Sequence, residues 1–180
     1  SGRVSPREAL LVFLVLSLLA FGLVMLTNTK TVQLSFAALA LAVVYPFLKR
    51  RTSVPQLWLG MAVGMSIPMG WTAVTGRLDA GGLALFALLF CWQLPHFLAI
   101  SIYLAEDYAR GGLRVFSLVH GERATRAWIA ATATPLVPIS LALAPLGVAT
   151  PGAAAATAVL GAGLAAFALY GSWALLIAFH

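Results

Sequence analysis

A charged loop with two adjacent carboxylates is the first candidate for chemistry in this sequence. It spans residues 106–114 and reads Glu-Asp-Tyr-Ala-Arg-Gly-Gly-Leu-Arg. The chain has only five acidic residues, and Glu106 and Asp107 are two of them. A charged group is unfavourable in hydrocarbon by several kcal/mol, so charges that persist in a very apolar chain tend to serve topology or chemistry. The pair is either a solvated interfacial charge or a source of oxygen ligands for Mg²⁺.

A basic cluster, Lys49, Arg50 and Arg51, ends one of the hydrophobic stretches. Such a cluster usually anchors a membrane span. If the spans alternate, however, it faces the same compartment as Glu106 and Asp107. Carboxylates that hold Mg²⁺, together with basic groups that hold phosphate oxygens, are what a metal-diphosphate ligand requires. The charged segments therefore predict either topology anchors or a diphosphate site.

A histidine within a hydrophobic run is the third polar feature. His96 belongs to the run Trp-Gln-Leu-Pro-His-Phe at 92–97, ten residues before the acidic loop, or about 15 Å along a helix. At about 100° per residue, His96, Tyr103 and Asp107 fall on one helix face, with Gln93 on its flank. Two interpretations stay open: a polar stripe that leads from the loop into the bilayer, and a buried histidine bonded to a neighbouring helix.

The elements that position these residues are predicted to be membrane helices. Of the 180 residues, 62% are hydrophobic and 9% are charged, and the mean hydropathy is +0.98. Charged residues divide the chain into five long neutral runs, at 9–29, 31–48, 52–76, 80–105 and 127–179. Each of the first four suits one helix of about 20 residues. The fifth suits two helices, separated by the prolines and glycines of residues 144–152.

This pattern predicts an all-α, polytopic membrane helix bundle of about six spans in a single domain. A β-barrel is excluded because its strands would be shorter and would alternate in polarity, whereas these runs are apolar on every face. Gly60 and Gly64 are predicted to let two helices approach closely, and Gly161 with Gly163 likewise. Residues 66–71 place a proline and a glycine inside a span, which indicates either a kink or the lining of a cavity.

Basic residues are distributed unevenly between the two sides of this bundle. If the spans alternate, one side carries nine and the other carries only Lys30 and Arg77. The nine are Arg3, Arg7, Lys49, Arg50, Arg51, Arg110, Arg114, Arg123 and Arg126. The positive-inside bias places this side, and the acidic loop with it, in the cytoplasm. The net charge of +6 is accounted for by topology and by an anionic ligand at that face, and it does not indicate nucleic acid.

Four motifs occur in a fixed order over residues 48–121. They are Leu-Lys-Arg-Arg-Thr at 48–52, Gly-Trp-Thr-Ala-Val-Thr-Gly at 70–76, Trp-Gln-Leu-Pro-His-Phe at 92–97, and Asp107-Tyr108 followed by Gly-Leu at 112–113 and Val-His-Gly at 119–121. In combination they resemble the protoheme IX farnesyltransferases, the haem O synthase branch of the UbiA-type intramembrane prenyltransferases. The loop departs from that branch at residues 114–117, where Arg-Val-Phe-Ser replaces the usual Pro-Met-Leu-Pro.

The resemblance implies a nine-helix prenyltransferase fold, of which this chain looks like the third to the eighth helix. Residues 1–180 would then be a single transmembrane domain that lacks the last helix and the N-terminal helices with the first Asp-rich loop. The start Ser-Gly-Arg looks cut from something longer. Because half of the implied site would precede Ser1, this chain alone is expected to be inactive.

The chemistry that the resemblance implies is prenyl transfer at the cytoplasmic face of a bacterial plasma membrane. Mg²⁺ would bridge farnesyl diphosphate to two Asp-rich loops, and the farnesyl group would go to a vinyl group of haem b, with water adding a hydroxyl. Haem is then a substrate rather than a cofactor. A downstream haem-modifying enzyme is a candidate partner.

Roles carry over to matching positions of this chain. Asp107, Lys49 and Arg50 are the expected catalytic residues, and Asp107 with Glu106 the expected metal ligands. The expected substrate-binding residues are Arg51, Trp71, Gln93, His96, Tyr103, Tyr108, Arg110 and Arg114. Among these, His96 is a candidate axial ligand of haem, and the arginines are candidate partners of its propionates.

Other functions remain as alternatives. Residues 45–56 resemble more closely the 4-hydroxybenzoate polyprenyltransferase branch of quinone biosynthesis, although that branch lacks the Trp-Gln-Leu-Pro-His-Phe run. A transporter is favoured by the polar stripe, but it predicts inverted internal repeats, and none is convincing here. A non-catalytic membrane subunit would tolerate loss of Asp107 and Lys49.

Overall fold

The structure is a computed structural model that describes residues 5–48, 51–52 and 55–178. Those residues form helices and connections with no strand among them, which confirms the all-α prediction. The elements are α1 (Pro6–Met25), α2 (Thr29–Leu48), α3 (Pro55–Gly64), α4 (Ser66–Thr75), α5 (Ala80–Tyr103), α6 (Ala105–Arg110), α7 (Phe116–Ala133), α8 (Leu136–Ala142) and α9 (Pro151–Ala178).

Within the described residues, four helical segments are long and apolar enough to cross a membrane. They are Pro6–Met25, Thr29–Leu48, Leu57–Thr75 and Ala80–Tyr103. Each overlaps one of the first four predicted runs, although the first two helices begin two or three residues earlier than their runs, and α3 with α4 makes up the third. The fifth run divides at the predicted turn, with the last part of α7 and α8 before it and α9 after it. Gly147 in that turn has a φ of 69°, a conformation that glycine adopts readily.

The proline in residues 66–71 coincides with the junction between α3 and α4. Pro68 is buried and has no N–H to donate to the carbonyl of Gly64, so the regular helix is interrupted next to Met65. Its neighbours Ile67 and Met69 each line an apolar cavity. Both sequence interpretations of this segment are therefore correct.

Helix α5 lies at the centre of the bundle, in contact with α3, α4, α7 and α8. A Cβ added at Gly64 would lie 2.9 Å from the Phe86 ring, and one at Gly60 would lie 3.5 Å from Phe90 and Gln93. These two glycines let α3 approach α5 closely, as predicted.

Close helix packing was also predicted for Gly161 and Gly163 of α9, and it is correct for Gly161 only. A Cβ at Gly161 would lie 3.0 Å from the Cβ of Leu136 in α8, so this glycine is a close-packing position. At Gly163, by contrast, an added Cβ meets no described atom within 4 Å. Gly163 lies two residues further along α9, on a face that does not contact α8.

Buried polar contacts tie α2 to α4 at the end of the bundle where α2 begins. The hydroxyls of Thr31 and Thr72 are 2.9 Å apart, and both residues are buried. Asn28 Nδ2 donates to the carbonyl of Thr72 at 2.5 Å. Between membrane helices, hydrogen bonds of this kind hold the helices in register.

Candidate functional site

The acidic pair lies on a short helix of its own. Helix α5 ends at Tyr103, Leu104 leaves helical geometry with φ −101° and ψ 22°, and α6 begins at Ala105. The predicted polar face assumed one unbroken helix from His96 to Asp107. Because the backbone turns at Leu104, that face does not continue to Asp107.

The connection from α6 to α7 is fixed by a glycine and by buried apolar residues. Gly112 has a φ of 64°, which lets the Gly112 N–H donate to the carbonyl of Ala109 at 3.1 Å, while the Leu113 N–H donates to the carbonyl of Tyr108 at 3.0 Å. Val115 and Phe116 are then both 6% exposed. Two of the residues that replace the usual Pro-Met-Leu-Pro therefore anchor the loop in the core.

A hydrophobic cluster and one hydrogen bond join the two ends of the loop. Leu98 of α5 packs with Phe116, Ile129 and Ala130 of α7. The Oγ of Ser117 donates to the carbonyl of Ser101 at 2.6 Å, and both residues are buried. These contacts hold the last turn of α5 beside the first turn of α7. Helix α6 belongs to the loop that connects these two turns.

We expect Ser117→Ala to destabilise this end of the bundle. The variant removes the donor and leaves the Ser101 carbonyl buried with one partner fewer, which is unfavourable by about 1–3 kcal/mol. Thermal unfolding in detergent measures the effect. Ser66→Ala is the control, because the Ser66 hydroxyl at the start of α4 is exposed and donates to the nearby carbonyl of Val63 in α3. Equal unfolding temperatures for the two variants would contradict the proposed role of Ser117.

Both acids of α6 are exposed to solvent at the mouth of a cleft. The Asp107 carboxylate forms an ion pair with the Arg110 guanidinium, and their side chains are 62% and 75% exposed. A cleft of about 290 Å³ is lined by Glu106, Asp107 and Arg110 together with Ile102, Tyr103, Leu104 and Ala105. An ion pair this exposed contributes little to stability, so these charges are available to a ligand.

The two carboxylates of α6 provide enough ligands for a metal ion only if a bound substrate supplies the others. Among the described residues, no group of three or more His, Cys, Asp or Glu side chains could hold a metal ion. Mg²⁺ commonly takes one or two carboxylates, keeps several waters and completes its shell with substrate phosphates. Glu106 and Asp107 therefore fit a Mg²⁺ ion shared with a diphosphate, and they do not fit a metal site made of protein alone.

Helix α2 ends on the same side of the bundle as α6. Lys49 and Arg50 lie outside the described residues, and Arg51 is exposed in the turn that follows α2. Helix α2 begins beside the end of α4, where Thr31 contacts Thr72, and the end of α4 packs on the first turn of α5. Because α2 and α5 begin at the same end of the bundle, they also end on the same side, as the alternation of spans predicts.

His96 is exposed on the side of α5, and so the interpretation as a buried histidine is wrong. Its ring stacks on Trp92, with centroids 4.7 Å apart and planes at 14°, and it also contacts Phe97. Tyr103, further along the same helix, is 86% exposed. Gln93, by contrast, is buried where α5 meets Gly60 of α3.

Trp71 lies at the opposite end of the bundle from the acidic loop. Its indole covers the first turn of α5, where a Cβ added at Gly82 would lie 2.7 Å from the ring and one at Gly81 would lie 3.0 Å from it. Gly82 precedes Asp107 by 25 residues, most of them in α5, which rises about 1.5 Å per residue. Trp71 therefore packs α4 against the start of α5, and it is too far from Asp107 to share a site with it.

Sequence reasoning missed two contacts that shape this end of the protein. The Ser101–Ser117 hydrogen bond carries no local signal, because the two serines belong to different helices. His120, from the Val-His-Gly motif, is exposed and stacks on Phe116 with ring centroids 4.2 Å apart, and Phe116 also contacts Trp128. The motif pointed to His120, but nothing in it pointed to its partner.

Comparison with known proteins assigns the chain to one family, by a family match and by sequence identity to individual proteins. The chain matches the UbiA prenyltransferase family over residues 1–177. It is 58% identical to the protoheme IX farnesyltransferase of Anaeromyxobacter sp. (strain Fw109-5), over 95% of this chain and 58% of that protein. It is 41% identical to the protoheme IX farnesyltransferase of Sorangium cellulosum (strain So ce56), over 94% of this chain and 61% of that protein.

A second group of relatives carries another name. The chain is 43% identical to a 4-hydroxybenzoate octaprenyltransferase of Coxiella burnetii (strain RSA 331 / Henzerling II), over 67% of this chain and 42% of that protein. No solved structure matches the chain significantly. The chain spans about three fifths of the length of the protoheme IX farnesyltransferases that it matches. On the family match and these identities, the chain belongs to the UbiA prenyltransferase family.

Proposed function

We propose that the complete protein transfers a farnesyl group from farnesyl diphosphate to a vinyl group of haem b and so makes haem O. The observation that carries this proposal is the acidic cleft of α6, which lies at the end of an apolar bundle where α2 also ends. The exposed acids of α6 line this cleft with Arg110, and α2 begins at the opposite end, where Thr31 contacts Thr72. The 58% identity to a protoheme IX farnesyltransferase favours haem as the acceptor.

In this proposal the diphosphate lies between α6 and the end of α2. Asp107 and Glu106 hold Mg²⁺, which would supply positive charge as the bond between the prenyl carbon and the diphosphate oxygen breaks. Lys49 and Arg50 bind the phosphate oxygens on the other side, and Arg110, Arg51 and Arg114 line the approach. Such contacts stabilise the leaving diphosphate most strongly where water is excluded.

Two of the remaining candidate residues, His96 and Tyr103, belong to the acceptor side. His96 and Tyr103 are exposed on α5 between the acidic loop and the middle of the helix. An imidazole held flat against Trp92 could approach haem iron as an axial ligand and so orient the macrocycle. The apolar spans keep water away from the allylic cation until the new carbon–carbon bond has formed. Water then adds to the resulting cation as a hydroxyl with loss of a proton, and diphosphate is released.

A second candidate function is prenylation of 4-hydroxybenzoate. The 43% identity to the Coxiella burnetii protein over 121 residues supports it. The two functions differ in the acceptor, so the test is a competition between acceptors. The complete gene product, reconstituted with farnesyl diphosphate and Mg²⁺, is expected to convert haem b to a farnesylated haem and to leave 4-hydroxybenzoate unchanged. Prenylated 4-hydroxybenzoate as the main product, read by mass spectrometry, would reverse the assignment.

We further propose that this site faces the cytoplasm, because alternation of the spans assigns nine of the eleven basic residues to its side of the bundle. Single cysteines at Arg51, Arg77 and Arg110, all exposed positions, test it in a Cys91→Ala background. In intact cells an impermeant thiol reagent is expected to label the cysteine at 77 and to leave those at 51 and 110 unlabelled. The reverse pattern would place the acidic loop outside.

A further inference from the structure

An apolar cavity of about 390 Å³ lies among α4, α5, α8 and α9, away from the acidic loop. Its walls include Leu85, Leu88 and Trp92 of α5 and Leu136 and Ser140 of α8. This volume is within the range of small-ligand sites, which are typically about 300–1,000 Å³. Apolar cavities stay dry unless several polar groups converge on a water molecule, so water is a poor occupant here.

One polar atom in the wall lacks a partner. Ser140 is fully buried, and its Oγ forms no hydrogen bond with any described residue. The other hydroxyl of the lining, on Thr157, donates to the carbonyl of Ala153 at 2.6 Å. A buried hydroxyl left unpaired is unfavourable, so the Ser140 hydroxyl indicates an occupant that brings a hydrogen-bond acceptor.

The position of Ser140 along the bundle shows at which depth in the membrane the occupant must present its hydrogen-bond acceptor. Ser140 lies just before the turn between α8 and α9, and Val148 of that turn packs beside Gly81 at the start of α5. The acidic loop follows the other end of α5. A farnesyl chain anchored at Asp107 would present only hydrocarbon at the depth of Ser140, so it would leave the hydroxyl unpaired.

We propose that this cavity binds one acyl chain of a bilayer phospholipid from the leaflet opposite the acidic loop. The ester carbonyl accepts a hydrogen bond from Ser140 Oγ, and the chain runs past Leu85 and Leu88 to Trp92. A phospholipid of that leaflet has its ester groups near the membrane surface and its hydrocarbon toward the middle, which matches the order of the lining. The inference does not depend on the prenyl acceptor.

The test uses the complete protein in detergent with a phosphatidylcholine that carries a diazirine in one acyl chain. After illumination, peptide mass spectrometry locates the adducts. We expect saturable labelling within residues 85–92, 136–142 and 157–164, and we expect Ser140→Ala to raise the half-saturating lipid concentration about five-fold, the effect of one neutral hydrogen bond. Ser35→Ala is the matched control, because Ser35 lines another cavity and its hydroxyl already donates to Val32.

Several results would overturn the proposal. Labelling that does not saturate, or equal half-saturation for Ser140→Ala and the wild type, would show that no lipid is held by this hydroxyl. Loss of the adducts on adding farnesyl diphosphate would assign the cavity to the prenyl donor instead. Leu88→Trp, which fills the cavity, is expected to abolish the adducts, and it keeps the test decisive if Ser140→Ala fails to fold.

Discussion

Asp107→Asn in the complete enzyme is expected to lower the rate of prenyl transfer at least 100-fold. The substitution keeps the size of the side chain but removes a negative charge that holds Mg²⁺ in the proposed site, and no group of three or more possible metal ligands exists among the described residues. Loss of one preorganised electrostatic contact to a transition state typically slows a reaction by about 100- to 1,000-fold. The measurement is farnesylated haem formed per unit time at saturating Mg²⁺.

Glu122→Gln is the matched control for Asp107→Asn. Glu122 is also an exposed acid paired with an arginine, Arg126 at 2.6 Å, but it lies on α7 outside the cleft. Its loss is expected to leave the rate within a factor of two or so, as for most surface ion pairs. Near-normal turnover by Asp107→Asn would show that Glu106, or neither acid, holds the metal.

The double substitution Lys49→Gln and Arg50→Gln is expected to reduce kcat/KM for farnesyl diphosphate at least about 100-fold. In the proposed site each basic group forms charge-assisted hydrogen bonds to phosphate oxygens, and such bonds are worth about 1.5–3 kcal/mol apiece. Steady-state kinetics with farnesyl diphosphate as the varied substrate measure the effect.

Lys30→Gln provides the comparison, because Lys30 lies at the start of α2 and Lys49 follows its other end. A pair that serves only as a topology anchor would behave differently. Kinetic constants would then stay normal in the protein that inserts correctly, and only the amount of inserted protein would fall.

The helices could be predicted from the sequence because their signal is local. Neutral runs of about 20 residues define spans, and the prolines and glycines of residues 144–152 define a turn whatever the rest of the chain does. The start of α5 has a local signal too, since Asp79 accepts hydrogen bonds from the N–H groups of Gly81 and Gly82. The break at Leu104 has no such signal, because Leu, Ala and Glu all favour helix.

The placement of the acidic loop was predictable from the sequence, and the packing around the candidate residues was not. Glu106 and Asp107 lie at the end of the bundle where α2 ends, as alternation of the spans requires. The sequence did not reveal that Trp71 covers Gly81 and Gly82, since this contact joins residues of two helices and depends on tertiary structure.

Binding of farnesyl diphosphate to the purified complete protein, measured by calorimetry with and without Mg²⁺, tests the central claim most directly. If the acids of α6 and the basic end of α2 hold one metal-diphosphate ligand, wild-type protein binds only with Mg²⁺, and both Asp107→Asn and the Lys49/Arg50 double variant lose at least ten-fold in affinity, by about 1.4 kcal/mol or more. Glu122→Gln and Lys30→Gln should bind like the wild type. Unchanged, Mg²⁺-independent binding by Asp107→Asn would contradict the account.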